Sequence, residues 1–360
     1  MESVVNKATL SAGYSGKKVF ITGHTGFKGT WLSLWLKELG ACVNGYALSP
    51  ENEQCIFNVT QPYTTGNSII ADIRDKSRLS EAIEAFQPDY IFHLAAQPLV
   101  RRSYEIPAET FEVNVAGTAN LLEAVQKVKG KCTVLVITTD KVYENKEQHI
   151  LYTEEDALGG YDPYSASKAC AELVVGSFRN AFFNTATYAD HQKALGVVRA
   201  GNVIGGGDFS KDRIIPDLVN ALKAQQEIIV RNPAAVRPWQ HVLEPLGGYL
   251  LLAEKLHNDL SYSGAWNFGP EPADHLTVEQ LVTHAIATWG SGSWKDGSNP
   301  MAPHEAHLLQ LSINKAKQQL NWLPKLNAAA AINWTIEWYR QPVADAAAFT
   351  INQINRYMAL

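Results

Sequence analysis

The sequence predicts an α/β fold, a doubly wound parallel sheet carrying a smaller C-terminal cap. Three observations predict it. The first 200 residues alternate short β-branched runs with longer helical patterns. A glycine-rich turn joins the first such strand to the first helix. Beyond residue 200 the alternation loosens into loops containing Gly and Pro.

Residues 18–22, KVFIT, read as the first strand, 27–39 as the first helix and 42–48 as the second strand. A third strand is expected at 69–71 with a helix at 76–86, a fourth at 90–94 with a long helix at 108–128, and a very apolar fifth at 133–138. Pro163 suits the first turn of a helix running to about Asn184, and 197–200 is a further strand of the same sheet. In the second half, helices are expected at 215–224, 243–256, 277–289 and 312–320, with a short strand at 228–230.

Composition narrows the function. At 46% hydrophobic, 360 residues furnish a substantial core, and a formal charge of -5 from mixed signs implies no strongly basic nucleic-acid surface. No segment reads as a signal peptide or a membrane span, so a cytoplasmic protein is expected. Cys42, Cys55, Cys132 and Cys170 lack the paired spacing of a zinc site and are expected as buried reduced thiols, with no metal.

The segment Gly23-His24-Thr25-Gly26-Phe27-Lys28-Gly29 lies between the first strand and the first helix. GxxGxxG alone is weak, but in this position the glycines permit a tight turn and let the backbone approach a diphosphate at a helix N-terminus. Residues 1–200 are therefore expected to be mainly a dinucleotide-binding domain of Rossmann type, and 201–360 mainly a substrate-binding cap with some segments returning to the sheet. The acidic residue often found ~20 positions on, for the adenosine ribose, is absent from Asn44-Gly45-Tyr46-Ala47-Leu48. No arginine replaces it. Asp72, followed by Ile73, is the candidate for the adenine end, with a helix cap as its alternative.

A second signal is Tyr164-Ser165-Ala166-Ser167-Lys168. Four residues apart on a helix, phenol and ammonium share a face, and a nearby cation favours the phenolate that can act as a base. YxxxK by itself is common as a surface pair. It gains weight after the fifth strand of a chain that already has the glycine turn.

With His93-Leu94-Ala95-Ala96 and Asn114-Val115-Ala116-Gly117-Thr118, these motifs resemble the extended short-chain dehydrogenases/reductases over almost the whole chain. The resemblance implies that Leu94, Ala95, Ala96 and Thr138 line an NAD cofactor, and that Tyr164 and Lys168 serve both cofactor and catalysis. Thr139-Asp140-Lys141 ends the fifth strand and is similar to the Thr-Asp-Glu of sugar-nucleotide 4,6-dehydratases, where epimerases carry a serine-rich segment. His24, Lys141, RAGNVIGGGDFSKDRIIPDLV and RPWQHVLEPLGGYLLLAEKL resemble the subgroup acting on CDP-glucose. This implies a nucleotide-sugar substrate, a role in deoxysugar and surface-polysaccharide (O-antigen) biosynthesis, and a homodimer formed through helices 108–128 and 163–184.

The resemblance also implies a cycle of oxidation at sugar carbon 4, elimination across carbons 5 and 6, and hydride return to carbon 6. Tyr164 would take the hydroxyl proton, Asp140 would protonate the departing hydroxide, and Lys141 would act at carbon 5 as base or enolate stabiliser. Asn202, Arg213 and Arg237 are expected at the sugar or its diphosphate, where arginine offers paired donors. Gln97 and Arg102 are weaker candidates there. A 4-epimerase and a non-catalytic dinucleotide sensor are the alternatives; Asp140 speaks against the first and the Tyr-Lys pair against the second.

Overall fold

The computed structural model describes residues 4–50, 52–63, 66–298 and 309–360. Apolar runs form the central strands β1 (Lys18–Thr22), β2 (Cys42–Ala47), β3 (Ser68–Ile70), β4 (Tyr90–His93), β5 (Cys132–Ile137), β6 (Lys193–Ala200) and β7 (Gly264–Phe268). They pair in parallel in the order β7-β6-β5-β4-β1-β2-β3. Successive side chains alternate across the sheet. Val19 and Ile21 accordingly join a core with Trp31, Trp35 and Trp266, while Phe20 joins a second core with Tyr46, Leu79 and Leu121. Both faces are covered, as the fully buried β5 requires. The chain runs outward from β1 through β2 to β3, then crosses back to β4, which opens a crevice beyond the C-terminal ends of β1 and β4.

The doubly wound sheet matches the expectation, with β1 to β6 where the hydrophobic runs put them. Several elements differ. The single helix expected at 108–128 is a series: Val100–Glu105, Pro107–Phe111, a π-helical turn Glu112–Ala116 and Gly117–Val125. Pro107, with no N–H, begins a helix instead of continuing one. The wider π turn carries Asn114, whose side chain bonds Gln97 and Ser167. The helix expected to reach residue 184 ends at Ala181. Strand β7 and the helices Lys7–Tyr14, Ala328–Tyr339 and Ala346–Ala359 lie outside the expected set.

The C-terminal half contributes to the sheet layer as well as to the region above it. Helix Leu243–Asn258 is buried along most of its length and packs on β5 and β6. Short ladders join Ile228–Val230 to Trp294–Asp296 and Val236–Arg237 to Leu276–Thr277. The four cysteines are free, but the expectation of buried thiols holds only for Cys132. Cys42 is exposed at the start of β2, and Cys55 and Cys170 are half-buried. Among the described residues no helix is long and apolar enough to cross a membrane.

Candidate active site

The glycine turn builds the floor of the site. Gly23 leaves β1 at φ 78°, a conformation glycine adopts without strain, and a Cβ there would lie 2.7 Å from the Ala95 nitrogen. Helix Phe27–Glu38 starts at once, with Gly26 as N-cap and no side chain capping its first N–H groups. Those free donors, together with the positive end of the helix dipole, suit a diphosphate. Gly23, Gly26, Phe27, Lys28 and Gly29 line a cleft of about 1000 Å³, as do Asp72, Ile73, Leu94, Ala95 and Ala96. The donor set fits the diphosphate of a dinucleotide.

Two sequence readings are refined here. Asp75, not Asp72, caps the following helix, accepting from the Arg78 N–H at 3.1 Å. Asp72 is thus left to line the cleft, its carboxylate bonded to Arg74 at 2.6 Å. The side chain of His24 does not join the cleft. It shares a 2.7 Å hydrogen bond with Ser68 and packs against Phe57 and Tyr63. Gly45 makes room for it, since a Cβ there would meet the ring at 2.2 Å. Burial pushes this imidazole down to about 4, so it is neutral at physiological pH.

The second wall is the end of β5 and the helix Pro163–Ala181. Asp162 caps that helix, taking bonds from the Ser165 N–H at 2.9 Å and hydroxyl at 2.6 Å. The helix thereby presents Tyr164 and, one turn on, Lys168 to the cleft that Thr138, Thr139, Asp140 and Lys141 also line. Asp140 is buried and accepts from the Thr139 hydroxyl at 2.9 Å. Burial pushes the Tyr164 phenol up to about 12, opposed by a hydrogen bond with Thr139 and by the charge of Arg213. The Lys168 ammonium donates to the Ile137 carbonyl at 2.7 Å, at the end of β5. Thr139, which the resemblance alone pointed to, is therefore the polar neighbour of both the phenol and the carboxylate.

Of the expected substrate residues, Asn202, Arg213 and Arg237 line the cleft. Asn202 Oδ1 is buried with no hydrogen-bond partner among the described residues. Arg213 pairs with Asp208 at 3.3 Å. Gln97 and Arg102 are not among the lining residues. The Gln97 amide instead bonds Leu99 and Thr110, which fixes the loop after β4, and Arg101 takes the lining position beside Arg102. Tyr143, Arg231, Asn232 and Trp239 also line the cleft; the sequence names none of them as a site residue, although Trp239 lies within the RPWQ segment and Tyr143 just after Thr139-Asp140-Lys141. Lys28, pushed down to about 8 by burial and then by Arg213, adds a cation between the glycine turn and the catalytic wall. No group of three or more metal-ligating side chains is found among the described residues.

Comparison with known proteins shows what the chain is similar to. The model of a family described as GDP-mannose 4,6 dehydratase matches residues 20–335. The CDP-glucose 4,6-dehydratase of Salmonella typhimurium is 48% identical over 351 residues, 96% of this chain and 97% of that one. Among solved structures, a dTDP-glucose 4,6-dehydratase from Streptomyces venezuelae with NAD bound superposes with a TM-score of 0.73 at 24% identity, covering 90% of this chain and 97% of that chain. A UDP-glucose 4-epimerase from Thermus thermophilus in complex with NAD does so at 0.76 and 22%, covering 90% and 99%.

Proposed function

Because the chain belongs to the GDP-mannose 4,6 dehydratase family, we propose that it is an NAD-dependent enzyme converting CDP-glucose to CDP-4-keto-6-deoxyglucose and water. The observation that carries this reading is the end of β5, where the buried Asp140 shares Thr139 with Tyr164 at the wall of the cleft. A 4-epimerase has no hydroxide to expel and no need of that acid. The Salmonella typhimurium relative supports the cytidine nucleotide.

Bound NAD supplies the hydride acceptor for carbon 4 and the hydride that reaches carbon 6. Gly23, Gly26 and Gly29 with the following helix N-terminus would hold its diphosphate, Asp72 and Ile73 would serve its adenine end, and Leu94, Ala95, Ala96 and Thr138 would line the rest of its site. Tyr164 takes the proton of the hydroxyl at carbon 4. Burial raises its pKa to about 12, and the Thr139 hydroxyl and the Arg213 charge oppose that shift, toward the phenolate that acts as the base. Asp140 protonates the hydroxyl leaving carbon 6, because hydroxide is a poor leaving group. Lys141 takes the carbon 5 proton, or remains cationic and stabilises the enolate while another group takes that proton. Asn202, Arg213 and Arg237 hold the sugar diphosphate, and the cleft walls keep water from the reactive ketone.

A cytoplasmic homodimer in deoxysugar biosynthesis completes the reading. Phe111 and Leu173 leave apolar surface exposed on neighbouring helices, which supports a second copy there. The test of the function is incubation with NAD and a panel of nucleotide-linked glucoses. A product lighter by one water from CDP-glucose is expected; loss of water from none of them would overturn the reading.

A further inference from the structure

Behind the catalytic wall lies a buried ionic network that no step above uses. Glu172 follows Lys168 by one helical turn and is 7% exposed. One of its oxygens accepts from the Thr138 hydroxyl at 2.6 Å and from Arg199 Nε at 3.0 Å, and the other from Arg199 Nη2 at 2.5 Å. Arg199, on β6, donates from Nη1 to the Tyr143 hydroxyl at 2.7 Å and the Glu154 carbonyl at 3.2 Å. The Tyr143 hydroxyl donates in turn to Asn267 on β7 at 2.8 Å. One carboxylate therefore links the helix bearing Tyr164 and Lys168, the residue before Thr139 and, through Arg199, the loop just after Lys141. A buried ion pair adds little net stability over an apolar pair of the same volume, so stability does not account for this arrangement.

We propose that Glu172 is a positioning residue for the dehydration: it holds Thr138, and with it the Thr139-Asp140-Lys141 segment, against the helix face of Tyr164 and Lys168, and it keeps Lys168 cationic. This rests on the function proposed above. Burial lowers Lys168 to about 8, and Glu172 is the charge that opposes the shift. The other titratable or charged groups around it do not take that role. Tyr164 on its own helix is pushed up by burial, His93 on β4 is pushed down to about 3 and is neutral, and Lys28 on the first sheet-flanking helix is a like charge. Asp140 lines the same cleft but is paired with Thr139 and Lys141. Arg199 lies on the far side of Glu172 and is its partner. Since the ammonium exists below its pKa, neutralising Glu172 lowers that pKa further and moves the alkaline limit of activity to lower pH.

The experiment compares wild type, Glu172→Gln and the double variant Glu172→Gln with Arg199→Met, following NAD reduction by CDP-glucose in a single turnover and product formation across pH. In Glu172→Gln, kcat is expected to fall about tenfold or more with KM within about twofold, and the alkaline limb to move to lower pH. The double variant has no unpaired buried charge and so is expected to fold, yet to keep the displaced limb. A folded double variant with wild-type kcat and alkaline limb would show that Glu172 serves only to pair Arg199, and the inference fails. The same follows if Glu172→Gln itself keeps the wild-type profile while wild type turns over. Wild type that forms no lighter product brings down the functional reading, and this inference with it.

Discussion

The ammonium of Lys141 stands 3.9 Å from the carboxylate of Asp140 at the end of β5. A cation and the proposed acid thus share one corner of the cleft, with the Lys141 side chain 30% exposed and that of Asp140 3% exposed. From this corner Lys141 can take the carbon 5 proton or, as a cation, stabilise the enolate while another group takes that proton. Lys141→Met, which keeps length and removes the amine, is expected to leave transient reduction of NAD by substrate intact. Exchange of the carbon 5 proton with deuterated solvent should slow by about 100-fold. Normal exchange and normal product formation would remove Lys141 from the mechanism.

Asp140→Asn keeps shape and loses the proton. Oxidation at carbon 4 should persist, and formation of the dehydrated product should fall by about 100-fold or more. The readouts are NADH absorbance in a single turnover and product mass. An unchanged yield of the lighter product would exclude Asp140 as the acid.

The Tyr164→Phe variant should fold, because ring volume is kept and the hydroxyl faces the cleft side of Thr139. Turnover should fall by about 100- to 10,000-fold with thermal stability little changed. A variant within a few-fold of wild type would contradict its role as the base at carbon 4.

Cofactor choice follows from charges near β2 and β3. No basic residue ends β2, and Arg74, the nearest arginine in sequence to Asp72, is bonded by Asp72, Glu109 and Glu112. It has little charge to spare for a ribose phosphate. Calorimetry on protein stripped of cofactor should find NAD bound at least about tenfold more tightly than NADP. The reverse preference would refute this account of the adenosine end.

How far the sequence foretold these features differs between its halves, for physical reasons. Strands such as 18–22 and 132–137 are short apolar runs between turn residues, and Gly23, Gly26 and Gly29 mark the passage from the first strand into the first helix, so the sheet and the glycine turn are legible. The π turn at Glu112–Ala116 was not, because Asn114 is re-aimed by tertiary partners that local pattern does not contain. Helix Ala328–Tyr339 is not legible because it is apolar on most sides, which erases helical periodicity, and β7 is not because GAWNF has no β-branched residue and includes Gly and Asn. In the site, His24 had the spacing of a phosphate-loop residue but the volume of a wedge, and Gly45 across from it decides its direction. Glu172 was within reach of the same i, i+4 argument that joined Tyr164 to Lys168; its partner Arg199 lies on another strand.

In the proposed reaction one sugar gives up a hydride at carbon 4 and receives it back at carbon 6 without release. CDP-glucose carrying deuterium at carbon 4 tests this directly, with the product read by mass and by nuclear magnetic resonance. The result expected is a 4-keto-6-deoxy product, lighter by one water, with the deuterium on carbon 6. A dehydrated product with no deuterium at carbon 6, or label kept at carbon 4 of an epimerised sugar, would contradict it.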